Sequence, residues 1–99
     1  MADAAKGRGE NAEAHRLYLQ ARYLLDRMTQ ENTTSGIAYL SRALKLSPGF
    51  ALAWTELGRA HSQEALFGWV PVVDGLRRAR EAVERALSQE PNQIGRAHV

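Results

Sequence analysis

Chemistry in this 99-residue chain would have to come from three histidines, a scatter of hydroxyls and its carboxylates, because there is no cysteine. That absence removes disulfides, thiolate catalysis and cysteine-ligated zinc together, and it fits a reducing compartment. His15 and His61 stand at helical positions, neither four residues from another histidine nor paired with an obvious carboxylate, so no metal ligation is expected. For His61 a hydrogen-bonded, partly buried imidazole is the expectation. Thr33, Thr34, Ser35 and Ser47 gather where turn formers cluster, and no Gly-x-Ser-x-Gly elbow surrounds any of them, so they read as caps. Gly7-Arg8-Gly9 follows no strand and has no P-loop lysine with a hydroxyl residue behind it. No catalytic, cofactor-binding or metal-ligating residue is therefore expected, and the chain reads as a binding protein, not an enzyme.

The densest basic run, Arg77-Arg78-Ala79-Arg80, lies where Glu81 and Glu84 match Arg77 and Arg80 at helical i,i+4 spacing, which marks a solvated helix face. A net charge of only +2 with interleaved signs gives no nucleic-acid signature. Apolar residues at 44% against 24% charged, with three prolines, are enough for one modest core. No run approaches the roughly 20 apolar residues of a membrane span. The opening MADAAKGRGE lacks the apolar core of a signal peptide, so no membrane partner and a cytoplasmic location are expected.

The elements that must position any binding surface are helical. Residues 1–10 are small, charged and aperiodic, and read as a flexible leader or linker. From about Asn11, Ala14, Leu17, Tyr18, Ala21, Leu24, Leu25 and Met28 form one apolar stripe at three-and-four spacing. The run from Gln30 to Gly36 interrupts it, and Thr33 or Thr34 is expected to cap a second helix carrying Ile37, Leu40, Ala43 and Leu44 up to Pro48-Gly49. A third helix runs from about Phe50 through Trp54, Leu57, Gly58, His61 and Ala65. Glycine inside a helix costs about 1 kcal/mol relative to alanine, so Gly58 marks a tight helix crossing. Residues 66–73 are almost wholly apolar yet carry glycine and proline, and read as a structured, packed insertion. The fourth helix starts between Pro71 and Gly75, offers Leu76, Ala79, Val83, Ala86 and Leu87 to the core, and ends before Pro91.

These helices repeat. Arg42-Ala43-Leu44 with Pro48 returns 43 residues later as Arg85-Ala86-Leu87 with Pro91, and Ala14 returns as Ala51 after 37. Trp54, Leu57, Gly58 and His61 resemble the helix A signature of the tetratricopeptide repeat, and Ala79, Val83, Ala86 and Pro91 its helix B. Leu17, Ala21 and Leu24, then Gly36, Leu40, Ala43 and Pro48, stand for the first copy. His61 and Val83 replace the usual aromatics, so the repeats are divergent. The resemblance implies an all-α fold, two such hairpins stacked as a short right-handed α-solenoid over residues 11–92, with repeat 1 at about 14–50 and repeat 2 at about 51–93. Over that span the sequence also looks like the repeat region of multidomain bacterial signalling proteins. That likeness implies a regulatory protein-interaction module, or alternatively a fragment that modulates an adjoining nucleotide cyclase or kinase.

In such arrays the inward residues of helix A line a groove. The matching positions are His15, Tyr18, Arg22, Leu25, Asp26, Leu52, Thr55, Arg59, Ser62 and Gln63. Arg22 and Arg59 share one repeat position and would present two guanidinium groups to acidic side chains or a carboxylate terminus of a protein or peptide partner. Leu25 and Leu52 either anchor apolar side chains or close the seam between helices. Phe67 and Trp69 either pack over the helices, the favoured reading, or serve as aromatic anchors. Val83 and Leu87 would face a following repeat, and their exposure would drive self-association. Ile94 to Val99 continues no helical pattern and matches a reading frame of a common sequencing adapter, so residues 94–99 are expected to be non-native, and Met1 is an uncertain natural start.

Overall fold

Four helices, α1 (Ala12–Asp26), α2 (Gln30–Leu46), α3 (Ala51–Leu66) and α4 (Val72–Gln89), make up almost all of the computed structural model, which describes residues 12–89. The described residues contain no strand, and the protein is all-α. The expected leader 1–10, the closing Pro91 and the tail 94–99 lie outside them. No described helix is long and apolar enough to cross a membrane.

α1 ends in a short turn closed by Arg27 N–H to Leu24 O and Met28 N–H to Leu25 O, both 3.1 Å. Met28 there takes a left-handed backbone (φ 57°) and its side chain is exposed, so the apolar stripe of α1 stops one turn earlier than the spacing suggests. The second helix begins at Gln30, and its cap is Thr29, whose hydroxyl accepts from Asn32 N–H at 3.1 Å. The expectation that Thr33 or Thr34 caps this helix is therefore corrected: both lie inside its first turns, and Thr33 is buried. A cap needs a free amide two or three residues ahead, and Thr29 reaches it first.

Ser47 N–H bonds to Ala43 O at 2.8 Å as α2 ends, and Lys45 lies in the last turn, where the helix dipole favours a cation. The Pro48-Gly49 turn is fastened to α3 by Trp54, whose indole N–H donates to Pro48 O at 2.9 Å. α3 ends as Phe67 N–H bonds to Gln63 O and Trp69 N–H to Glu64 O, with Gly68 at φ 74°, a backbone that glycine adopts without a Cβ penalty. Pro71 O then accepts from Gly75 N–H at 3.0 Å to start α4.

Packing pairs α1 with α2 and α3 with α4, and α3 lies against the first pair. Ala14, Leu17, Tyr18, Ala21 and Leu25 of α1, Leu40, Ala43 and Leu44 of α2, and Phe50, Ala53 and Ala60 form the core. The contact of α3 with α4 is made of small residues. A Cβ on Gly58 would stand 3.0 Å from Val83 Cγ2 and 3.3 Å from Ala79 O, which explains the glycine as a close helix approach. On α4 the buried residues are Gly75, Ala79, Ala82 and Ala86. Leu76, Val83 and Leu87 are exposed instead of core, a correction with a steric cause: helices this close admit mostly small side chains between them, so that Val83 reaches Gly58 with one methyl while much of its surface, like that of Leu76 and Leu87, turns to the flank.

Candidate functional site

At the Leu76 end of that flank opens an apolar groove of about 580 Å³. Ser62, Ala65 and Leu66 come from α3, Val72 and Leu76 from the start of α4, and Arg59 borders it. Gln63 reaches its base, but its amide is committed inward. The side-chain N–H donates to Leu25 O at 3.1 Å, and the side-chain oxygen accepts from the Thr33 hydroxyl at 3.0 Å. One buried amide thus clasps α3 to the end of α1 and the start of α2.

Arg59 is held by Asp26 of α1 and by Glu56 one turn earlier, the latter at 3.0 Å. The hydrogen bond to Asp26 raises its pKa against the opposing effect of partial burial, and Glu56 adds to the rise, so the guanidinium stays charged and fixed in direction. Arg22 has a different setting: it lies exposed over the Tyr18 ring at 5.7 Å. The two arginines expected to act as an equivalent pair are therefore unlike, one neutralised by carboxylates and one resting on an aromatic face.

The other expected groove residues are dispersed by burial. Leu25 is fully buried and packs toward Gly36, so it closes the seam between helices. Tyr18 is buried beside Phe50 at a ring separation of 5.1 Å, and half-buried His15 stacks on the same Phe50 at 6.2 Å. Leu52 is exposed, and Thr55 turns its hydroxyl back to Ala51 O at 3.1 Å. Of the expected residues, Arg59, Ser62 and Gln63 meet at the apolar groove and Asp26 joins them through Arg59.

Phe67 and Trp69 stack on each other with centroids 5.0 Å apart, Phe67 exposed and Trp69 half-buried. The apolar run at residues 66–73 is not packed as a unit: Leu66, Phe67, Val72 and Val73 are all exposed, because α3 and α4 are so close there that only Gly75 and Ala65 fit between them. The exposed groove residues Leu66, Val72 and Leu76 were thus missed as surface. Their signal was present only as an apolar run too long for the turn that contains it.

His61 is part-buried and bonds through Nδ1 to Glu64 at 2.9 Å, so the reading that it has no carboxylate partner is corrected: an i,i+3 glutamate lies on the same helix face. On the far side of the α3/α4 contact a smaller crevice of about 180 Å³ is lined by Trp54, His61, Arg78, Glu81 and Arg85, with Arg85 over the Trp54 ring at 5.1 Å. The basic run of α4 is matched within its own helix, Arg77 to Asp74 and Glu81 and Arg80 to Glu84. Compared with protein-family models, with curated proteins and with solved structures, the chain matches none.

Proposed function

We propose that the chain is a protein-interaction scaffold, two divergent tetratricopeptide-like hairpins stacked as a short solenoid, serving as a regulatory module of a bacterial signalling or transcription protein. The observation that carries the reading is the apolar groove on the flank of α3 and α4, where Leu66, Val72 and Leu76 stand exposed beside a charge-fixed arginine. Exposed bulky apolar residues gathered on rigid helices suit the docking of a helix or an apolar side chain. Arg59, held from two sides, adds a directional polar contact at the rim without the entropy cost of ordering a free arginine.

Photo-cross-linking tests the reading. A benzophenone amino acid at Ser62, inside the groove, should give a defined cross-linked product in the host cell. The same group at exposed Ser41 should give none. Absence of any product at Ser62 would remove the groove as an interaction surface.

A further inference from the structure

The two helix pairs pack in one register. In the first, Gly36 of α2 lies against Ala21, with a Cβ-to-Ala21 O distance of 3.5 Å; in the second, Gly58, 37 residues after Ala21, lies against Ala79, 43 residues after Gly36, at 3.3 Å. With that register fixed, each surface position of one pair has a counterpart on the other. On α2, Thr33, Leu40 and Leu44 are 1%, 0% and 7% exposed in a core that α3 completes with Ala53, Ala60 and Gln63. Their counterparts on α4, Leu76, Val83 and Leu87, are 53%, 44% and 45% exposed. The face that holds a helix in the first pair carries no helix among the described residues in the second.

The first helix carries the reciprocal feature. α3 meets the first pair through Ala53, Ala60 and Gln63, with Glu56 on the same helical face. Thirty-seven residues earlier that face reads Arg16, Tyr23, Asp26 and Leu19 on α1. Leu19 and Tyr23 are 47% and 62% exposed. Size follows the same correspondence. Leu25, which fills the first pair, is replaced by Ser62 in the second, leaving the 580 Å³ groove, while small Ala60 is replaced on α1 by Tyr23, a side chain able to fill it. Charge agrees at both ends. Gln63 meets Thr33 near the start of α2, so the same docking carries Asp26 toward Arg77 and Arg80, past the acidic first turn of α4, and Arg16 toward the later turn bearing Glu84, all of them exposed groups whose ion pairs within the chain leave room for a further opposite charge.

We infer that a second copy of this chain docks its α1, through Leu19 and Tyr23, into the α3/α4 groove, so that copies stack head to tail as α3 stacks on α1 and α2. The inference rests on the groove being an interaction surface and is continuous with the contact already inside the chain, since Arg59 and Gln63 line both. Because head and groove are different surfaces, the contact is heterologous, does not close as a two-fold dimer, and leaves a free head and a free groove on which the assembly grows with concentration.

Sedimentation of the 99-residue chain from micromolar to millimolar concentration tests it. The wild type should rise in mean mass through successive multiples of the monomer. Tyr23→Asp and Leu76→Asp should each remain monomeric, and an equimolar mixture of the two should form a two-chain species that does not grow, since one supplies a free groove and the other a free α1. Leu19→Asp provides a second blocked head, and helical circular dichroism confirms that each variant is folded. A wild type monomeric throughout, or a Tyr23→Asp variant that still associates, overturns the inference. A two-fold pairing of α4 with α4 would be lost in Leu76→Asp, kept in Tyr23→Asp, and not restored by mixing. If Ser62 cross-links only to a different protein while the pure chain stays monomeric, self-stacking is wrong and the interaction surface stands.

Discussion

In the first helix pair Leu40 and Leu44 lie under α3, whereas in the second Val83 and Leu87, 43 residues on, face outward. The same register produces both results, so the difference lies in what covers the face and what lies beneath it. Leucines fill the space between α1, α2 and α3, while glycine and alanine bring α3 and α4 together. Close approach leaves no room for bulk and pushes it to the flank. A repeated sequence pattern can thus yield a core on one copy and an exposed apolar face on the other.

Truncation separates the two faces most sharply. Leu40→Ala should lower unfolding free energy by about 2–5 kcal/mol, as expected for a fully buried leucine, while Val83→Ala at the counterpart position should cost under about 1 kcal/mol. Urea denaturation of both variants measures the contrast, and equal losses would break the comparison. Next comes the clasp between the first pair and α3. Thr33→Val strands the Gln63 side-chain oxygen in a buried site and should cost about 1–3 kcal/mol. Adding Gln63→Leu should recover part of that loss, because Leu25 O keeps its bond from Met28 N–H.

Close packing in the second pair gives a smaller effect. A Cβ on Gly75 would lie 2.8 Å from Ala65 Cβ and 3.2 Å from His61 O, so Gly75→Ala should destabilise by about 1–2 kcal/mol, the overpacking exceeding the gain in helix propensity. Thermal unfolding that rises on this substitution would show the α3/α4 contact to be looser than described. Asp26→Asn removes a largely exposed partner of Arg59 and should cost less than about 1 kcal/mol, with the loss shrinking as salt is added. A salt-independent loss would mean that Asp26 acts through packing instead of charge.

Much of the helical plan was legible beforehand because three-and-four apolar spacing, Pro48-Gly49 and Pro71 act locally. The crossing at Gly58 was legible for the same reason, a helix-interior glycine being costly unless something presses on it. Thr29 was missed as a cap because Thr33 and Thr34 are equally good cap formers, and only the backbone path shows which hydroxyl meets a free amide. At the candidate site Arg59, Ser62 and Gln63 were legible as one helix face, but Leu66, Val72 and Leu76 were not, since an apolar residue reads as core wherever it falls.

Local spacing determined four helices and their order, because each depends on residues a few positions apart, and the 37- and 43-residue echoes are read by matching those local patterns; the first turn, at residues 27–29 and not 30–36, was not fixed in this way. The tertiary structure alone decided which apolar side chains are covered, which arginine is held by carboxylates and where the groove opens. Those outcomes depend on the distance between helices, and that distance is set by side chains far apart in sequence meeting face to face, as Gly58 meets Ala79 and Gln63 meets Thr33.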